Sequence, residues 1–197
     1  LCTTLSDLNG NNISTTEHIL AAVYALGIDN LTIELDSNEV PIMDGSSQAF
    51  VKSLKKIDLV EQSSFKKFVK INKKIEVSDG DSYASVTPSE ETIISCKLNF
   101  ESGVIGNQSI SFALSPRIFE SEICSARTFG FLKDISYLRK KGLTLGGSLD
   151  NAIVISNNKI LNNDGLRFND EFVRHKALDF IGDLSLAGHH MFGSFSS

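Results

Sequence analysis

The chain has 197 residues, of which 41% are hydrophobic and 22% charged, with a formal net charge of −5. This composition is typical of a folded protein with one large or two small domains, and its lysines form no basic stripe that would bind a nucleic-acid backbone. No apolar run approaches the roughly 20 residues that are needed to cross a bilayer.

The three cysteines bear on the compartment and on the kind of site. Cys2, Cys96 and Cys124 lie far apart and lack the spacing of a disulfide framework or of a cysteine-based zinc site. We therefore expect reduced thiols in a cytoplasmic protein. From the charge and hydropathy described above, we expect no nucleic-acid partner and no stable membrane insertion. Because the chain starts without Met and stops directly after a strand-like apolar segment, we also expect it to be a fragment.

The first third of the chain is predicted to form a small α+β domain. Ser14 lies three positions before Glu17 and ahead of apolar residues with helical spacing, which predicts a helix that starts with a capping box and ends at Gly27. Residues 31–35 alternate as in a strand, and residues 49–57 return to helical spacing.

A polar stretch at residues 61–64 without apolar periodicity is the best candidate for a linker. We place the boundary there, which gives domains at 1–63 and 64–197. The second domain is predicted to contain an antiparallel sheet built from strands at 67–77, 82–87, 92–100 and 108–113. Helices are expected at 116–125 and 135–141, short strands at 127–131 and 152–156, and a closing helix from Glu171 to about Gly188 with Asn169 or Asp170 as its cap.

The closing helix carries the strongest chemical signal. His175 and Asp179 are four residues apart, so both side chains project from one helix face. An imidazole and a carboxylate suit zinc, and a catalytic zinc site takes three protein ligands and leaves one position to water or substrate. His18 is the best third candidate because it follows Glu17, as a ligand beside a base would. The alternative on spacing alone is a surface His–Asp pair, a capping acid and a partly buried histidine.

Five segments resemble, in chain order, the signatures of one family. They are Ser14–His18, Pro41–Ser46, Ala126–Phe131, Leu145–Ser148 and Phe172–Asp179. The family is the zinc-dependent UDP-3-O-acyl-N-acetylglucosamine deacetylases, which perform the committed step of lipid A synthesis in Gram-negative bacteria. The resemblance covers essentially the whole chain.

The resemblance implies a fold and a set of catalytic roles. It implies two α+β domains of similar topology, each a mainly antiparallel sheet packed on helices, with the active site between them. His18, His175 and Asp179 would hold Zn²⁺, and Glu17 would be the general base in hydrolysis of an acetamide. Thr128 would donate a hydrogen bond to the oxyanion of the tetrahedral intermediate, the alternative being a hydroxyl satisfied within a strand end.

The substrate that the resemblance implies is a UDP-sugar bearing an acyl chain. Lys176 is assigned to its phosphates or sugar, although a neighbour of a ligand on a helix should point away from the zinc, and Phe100 is assigned to the uracil ring. A βαβ insert at about 129–154 would hold the acyl chain, with contacts at Phe129, Ile135, Gly147, Ala152 and Val154. A solvated lysine and ordinary core packing are the alternatives for these residues, and Asp44 is treated as structural.

The chain also departs from the family pattern. Family members continue past the point that matches Phe195 to a Lys-Ser-Gly-His segment whose histidine assists catalysis, so we expect this chain to be a poor catalyst by itself. Separately, we expect it to be a monomer. Two other functions stay open. A zinc hydrolase of the same fold acting on another amide would not need the acyl passage, and an inactive domain with structural zinc would need a fourth protein ligand, which is not evident.

Overall fold

The computed structural model describes residues 2–101, 103–134 and 146–197. Its helices are α1 (Glu17–Ala25), α2 (Gln48–Leu54), α3 (Pro116–Ile118), which continues as a π-helical turn at Phe119–Ile123, and α4 (Glu171–Leu184), which continues as a 3-10 turn at Ser185–Ala187. Its strands are β1 (Leu5–Ser6), β2 (Asn12–Ile13), β3 (Phe68–Lys70), β4 (Ile75–Asp79), β5 (Ser82–Thr87), β6 (Thr92–Asn99), β7 (Asn107–Ala113), β8 (Phe129–Phe131), β9 (Ile153–Ser156), β10 (Lys159–Ile160) and β11 (His190–Ser196).

The main sheet has six strands in the order β4-β5-β11-β6-β7, with β3 beside the first half of β11. Strand β11 runs parallel to β3 and β6 and antiparallel to β5, so the sheet is mixed. The predicted α+β class is confirmed, and the predicted antiparallel pairing holds for β4 with β5 and for β6 with β7. The parallel pairs arise because the last strand of the chain is inserted into the middle of the sheet.

Helices α1 and α4 pack directly against each other over the sheet. The packing face of α1 carries the small residues Ala21, Ala22 and Ala25, and α4 contributes Ala177 and Ile181 to the same core. The two backbones come very close at Gly182 in α4, where an added Cβ would lie 2.2 Å from the carbonyl oxygen of Glu17. Only a glycine tolerates this backbone separation, which brings the first turn of α1 onto the last turn of α4.

A smaller three-stranded sheet stands at one side of the molecule. Strands β8 and β9 are parallel, as in the predicted βαβ insert, and β10 returns beside β9 through a tight turn at Asn157 and Asn158, both with positive φ. Asparagine is one of the few non-glycine residues that adopt this backbone conformation readily. The helix predicted at 135–141 lies outside the described residues.

Three local predictions differ from the structure. The capping box is wrong, because α1 begins at Glu17 with Thr16 as its N-cap, and Ser14 instead bridges to Glu39. Residues 31–35 form no strand, since no strand in the described residues pairs with them. The run at 67–77 is interrupted at 71–74, because β3 pairs with β11 whereas β4 pairs with β5.

Residues 61–64, the predicted linker, are exposed and belong to neither a helix nor a strand. One core cluster nevertheless contains Val51 from before this stretch and Ile94 and Phe195 from after it. The boundary near residue 63 therefore stays a prediction. No helix in the described ranges is both long and apolar enough to traverse a membrane.

Candidate metal centre

The contact between α1 and α4 places His18, His175 and Asp179 together. One potential ligand atom from each residue lies within 4.8 Å of the other two. Asp179 Oδ1 is 3.3 Å from His175 Nε2 and 3.6 Å from His18 Nε2. Donor atoms around a tetrahedral zinc at about 2.0–2.2 Å are roughly 3.3–3.6 Å apart, so these separations suit such an ion.

The orientation of His175 is set from behind the ring. His175 Nδ1 lies 3.1 Å from the carbonyl oxygen of Ala126, and both groups are buried. Because a carbonyl can only accept, Nδ1 carries the proton and Nε2 presents a lone pair to the site. A backbone carbonyl in this place is the usual partner of a metal-bound histidine.

Asp179 Oδ1 is a buried oxygen that makes no hydrogen bond among the described residues. It faces the unprotonated Nε2 of His175, so two acceptors point at each other across 3.3 Å. An arrangement of this kind is costly unless a cation lies between the two acceptors. The donor set, two imidazoles and one carboxylate, is one that zinc accepts, and the residues present therefore fit the metal that the sequence predicts.

Burial of the site shifts both titratable groups on α4. Desolvation lowers the pKa of His175 to about 4, although the neighbouring Asp179 opposes the shift. Burial alone would raise the pKa of Asp179, but the two imidazoles and the Lys176 ammonium hold it well below its usual range. At neutral pH the site therefore presents a neutral imidazole and a carboxylate, which are the forms that bind a metal.

We expect the metal-free chain to lose stability as the pH falls from 6.5, the ordinary pKa of histidine, towards 4. The unfolded chain takes up the proton first, so the contribution of neutral His175 is complete above pH 6.5 and lost below it, roughly 3 kcal/mol in all. Urea unfolding in the presence of a chelator gives the free energy of unfolding of the wild type and of His175→Gln at each pH. If the difference in this free energy between the two proteins is constant from pH 7.5 to 4, the prediction is contradicted.

Glu17 lies at the N-terminal end of α1, beside the three potential ligands. Its side chain is largely buried, and Oε2 accepts a hydrogen bond from the backbone N–H of Thr3 at 3.0 Å. Glu17 and Asp179 line the same cleft of about 400 Å³. Glu17 thus shares a cleft with Asp179 but is not one of the three clustered donors in the described residues.

Lys176 does not point away from the site, so this expectation is wrong. Its Nζ lies 2.8 Å from Asp179 Oδ2 and 5.6 Å from the centre of the Phe129 ring. The long side chain reaches across three residues of the helix, a distance that allows contact on one face. Lys176 therefore neutralises the outer oxygen of the same carboxylate whose inner oxygen faces the histidines.

Thr128 is fixed through its backbone. Its N–H donates to the Gly45 carbonyl at 2.7 Å, and its carbonyl accepts from the Ile153 N–H at 2.8 Å. Asp44 binds Arg167 and the Ser46 hydroxyl, which agrees with its structural assignment and holds this loop against the strand. The predicted role of Thr128 in catalysis depends on its hydroxyl and stays a prediction.

Of the residues assigned to the substrate, Phe100 lines a second cleft in the described part of the chain. Phe100 packs near Phe129 and Phe131, with ring centres 6.2 and 6.3 Å apart, and Phe129 also meets Phe172 and His175. This cleft, of about 650 Å³, is lined by Asn99, Phe100, Glu101, Phe131, Lys133, Ile155, Ser156, Asn157 and Asn158.

The other acyl-chain residues are placed less directly by the structure. Val154 is buried, Ala152 and Gly147 are partly buried, and Ile135 lies outside the described residues. None of the three described residues lines the second cleft. Their assignment to the substrate stays a prediction.

Sequence reasoning missed two features. Arg127 and Glu171 form a fully buried ion pair behind His175, although Arg127 was noted only as part of a motif. Asp183 lies on α4 four residues after Asp179 and lines the cleft of Glu17. Continuing the spacing of His175 and Asp179 by one turn would have found it.

Comparison with known proteins gives concordant results. The sequence profile of the family described as LpxC, UDP-3-O-acyl N-acetylglycosamine deacetylase, matches residues 1–197. The chain is 52% identical over 188 residues to a UDP-3-O-acyl-N-acetylglucosamine deacetylase of Nautilia profundicola, covering 95% of this chain and 64% of that protein. Proteins of the same name from Campylobacter fetus and Pasteurella multocida are 50% and 49% identical, with 94% and 100% of this chain and 63% and 65% of theirs covered. The chain thus spans slightly less than two thirds of the length of these relatives.

Proposed function

The chain belongs to the UDP-3-O-acyl N-acetylglycosamine deacetylase family, and from this premise we propose that it is a zinc-dependent amide hydrolase. Its reaction would be removal of the N-acetyl group from a UDP-3-O-acyl-N-acetylglucosamine, the committed step of lipid A synthesis. The observation that carries the proposal is the buried, unpartnered Asp179 Oδ1 facing two imidazole nitrogens at 3.3 and 3.6 Å.

His18, His175 and Asp179 would hold the metal. When bound, zinc supplies an activated water at neutral pH and polarises the carbonyl of an amide. The chain contributes the geometry for this, because His175 is held by the Ala126 carbonyl and Asp179 by Lys176. No fourth donor joins the cluster in the described residues, so a metal held there would keep a position open for water or substrate.

Glu17 would act as the general base. The hydrogen bond from the Thr3 N–H to Oε2 orients the carboxylate, and Oε1 makes no hydrogen bond within the described part of the chain. A carboxylate beside the metal can take a proton from water and return it to the leaving amine. Thr128 would donate its hydroxyl to the developing oxyanion.

The nucleotide and acyl parts of the substrate would bind on the side of the second cleft. Lys176 lies between Asp179 and the Phe129 ring, where its ammonium could meet a phosphate or a sugar hydroxyl. Phe100 and Phe129 provide aromatic surface for the uracil and the acyl chain. Cytoplasmic location and a monomeric state remain predictions from the sequence.

We expect the zinc-loaded chain to release acetate from a UDP-3-O-acyl-N-acetylglucosamine, and chelation followed by zinc addition to abolish and restore this activity. UDP-N-acetylglucosamine is the matched control substrate. We expect its kcat/KM to be at least about tenfold lower, because each buried methylene of the acyl chain contributes about 0.8 kcal/mol.

Equal turnover of the two nucleotide sugars would count against an acyl passage. It would favour the second candidate function, a zinc hydrolase of the same fold that acts on another amide. Hydrolysis that is unaffected by chelation would exclude the zinc centre itself.

A further inference from the structure

Arg127 and Glu171 form a two-point ion pair in the interior of the protein. Arg127 Nε lies 2.9 Å from Glu171 Oε1, and Arg127 Nη2 lies 3.2 Å from Oε2. Arg127 is 2% exposed and Glu171 is completely buried. The guanidinium also binds Asp164 and the Gly165 carbonyl, and Glu171 Oε2 also accepts the backbone N–H of Arg167, so both charged groups are fully engaged.

A single peptide group joins this ion pair to His175. Glu171 Oε1 accepts the backbone N–H of Arg127 at 3.0 Å, and the carbonyl of Ala126 accepts Nδ1–H of His175 at 3.1 Å. This N–H and this carbonyl belong to the same planar peptide bond, between residues 126 and 127, and therefore rotate together. Glu171 and His175 are four residues apart on α4, so this one helix hydrogen-bonds both the N–H and the carbonyl of the peptide group.

Stability alone does not account for the pair. Apolar side chains of similar volume usually fill such a space at least as favourably as a buried ion pair. What they cannot do is accept the Arg127 N–H. The carboxylate also polarises the peptide group, which strengthens the hydrogen bond that its carbonyl accepts from the imidazole N–H.

We propose that Glu171, held in place by Arg127, positions the 126–127 peptide group by accepting its N–H, fixes the Nδ1–H tautomer of His175, and thereby sets the affinity of the site for its metal. The part that concerns affinity rests on the proposed zinc function. The part that concerns the tautomer does not, because it refers to the metal-free protein. Arg127 and Glu171 are both positioning residues. In the described residues, neither of them lines either cleft, and neither belongs to the donor cluster.

The test compares variants that differ in the hydrogen-bond acceptor. The double variant Arg127→Met/Glu171→Leu removes the ion pair and the acceptor without leaving a buried charge unpaired. Glu171→Gln is the conservative variant, because its amide oxygen can still accept the Arg127 N–H. Ile94→Ala, in the core but outside both clefts and the donor cluster of the described residues, controls for the effect of reduced stability.

Two measurements are made on each protein. Zinc affinity, from competition with a chromophoric chelator, is expected to fall about 10–100-fold in the double variant and to change less than about threefold in Glu171→Gln and Ile94→Ala. The ¹⁵N chemical shifts of the His175 ring in the metal-free state are expected to show one tautomer in the wild type and in Glu171→Gln, and a mixture in the double variant.

Unchanged affinity and a single tautomer in the double variant would overturn the proposal. If the wild type binds no zinc, the proposed function fails. The ¹⁵N chemical shifts of the His175 ring then decide by themselves whether Glu171 and Arg127 fix its tautomer. If the double variant does not fold, Arg127→Met/Glu171→Met replaces it, because it also removes the acceptor and both buried charges, and its unbranched side chains adapt to the space. A mixed tautomer in this variant supports the proposal, and a wild-type spectrum overturns it.

Discussion

Replacing Glu17 with alanine is expected to lower the rate of deacetylation by roughly 10²–10⁴ while the zinc content stays at the wild-type level. The carboxylate lies beside the three clustered donors and is held by the Thr3 N–H, so its loss removes a proton acceptor and leaves the donors in place. Turnover is measured as acetate release, and zinc by elemental analysis of the same samples.

Asp179→Ala is the matched comparison for this prediction. It removes the carboxylate that lies within 3.6 Å of both imidazoles and should therefore lose zinc together with activity. Equal loss of zinc in the two variants would make Glu17 a ligand or a structural residue. A Glu17→Ala protein that turns over at the wild-type rate would remove it from the mechanism.

Gly182→Ala is expected to destabilise the chain and to weaken zinc binding at the same time. Alanine in a helix is ordinarily favoured over glycine by about 1 kcal/mol, but here the Cβ would lie 2.2 Å from the backbone oxygen of Glu17. Because backbone cannot yield as a flexible side chain can, α1 and α4 must separate. We expect a net loss near the upper end of the roughly 1–3 kcal/mol that overpacking costs.

The separation matters for function because His18 lies on α1 and the other two donors lie on α4. Urea unfolding and chelator competition measure stability and zinc affinity on the same protein. Gly130→Ala is the control, since a Cβ there meets no described heavy atom within 4 Å. If Gly182→Ala matched this control in both measurements, the close approach of the helices would have no part in forming the site.

Local patterns were enough to predict most elements of the second part of the chain. The strand at residues 82–87 has the predicted bounds, and α4 begins at Glu171 as expected. These elements have clear apolar periodicity and turn residues at their ends, which are properties of neighbouring residues. The i, i+4 spacing of His175 and Asp179 is equally local, because helix geometry alone puts two such side chains on one face.

The start of α1 shows where local patterns fail. Ser14, Thr15 and Thr16 are all good N-cap residues, and the sequence cannot rank them when their competing partners are distant. In the fold Ser14 forms a β-bridge with Glu39, and Thr15 has a positive φ. The carboxylate of Glu17 accepts the backbone N–H of Thr3. Lys176 is a similar case, because the rule for adjacent helix positions describes where its Cβ points, whereas a flexible side chain can carry the ammonium back to Asp179.

The sequence by itself determined the donor types, their helical spacing and, through five ordered motifs, the family, because these are properties of single residues and short segments. Only the tertiary structure decided that α1 meets α4 at Gly182, that β11 enters the middle of a mixed sheet, and that one peptide group links Glu171 to His175. These features join residues up to 165 positions apart in sequence, as at Glu17 and Gly182, and they depend on which surfaces exclude water together when the whole chain packs.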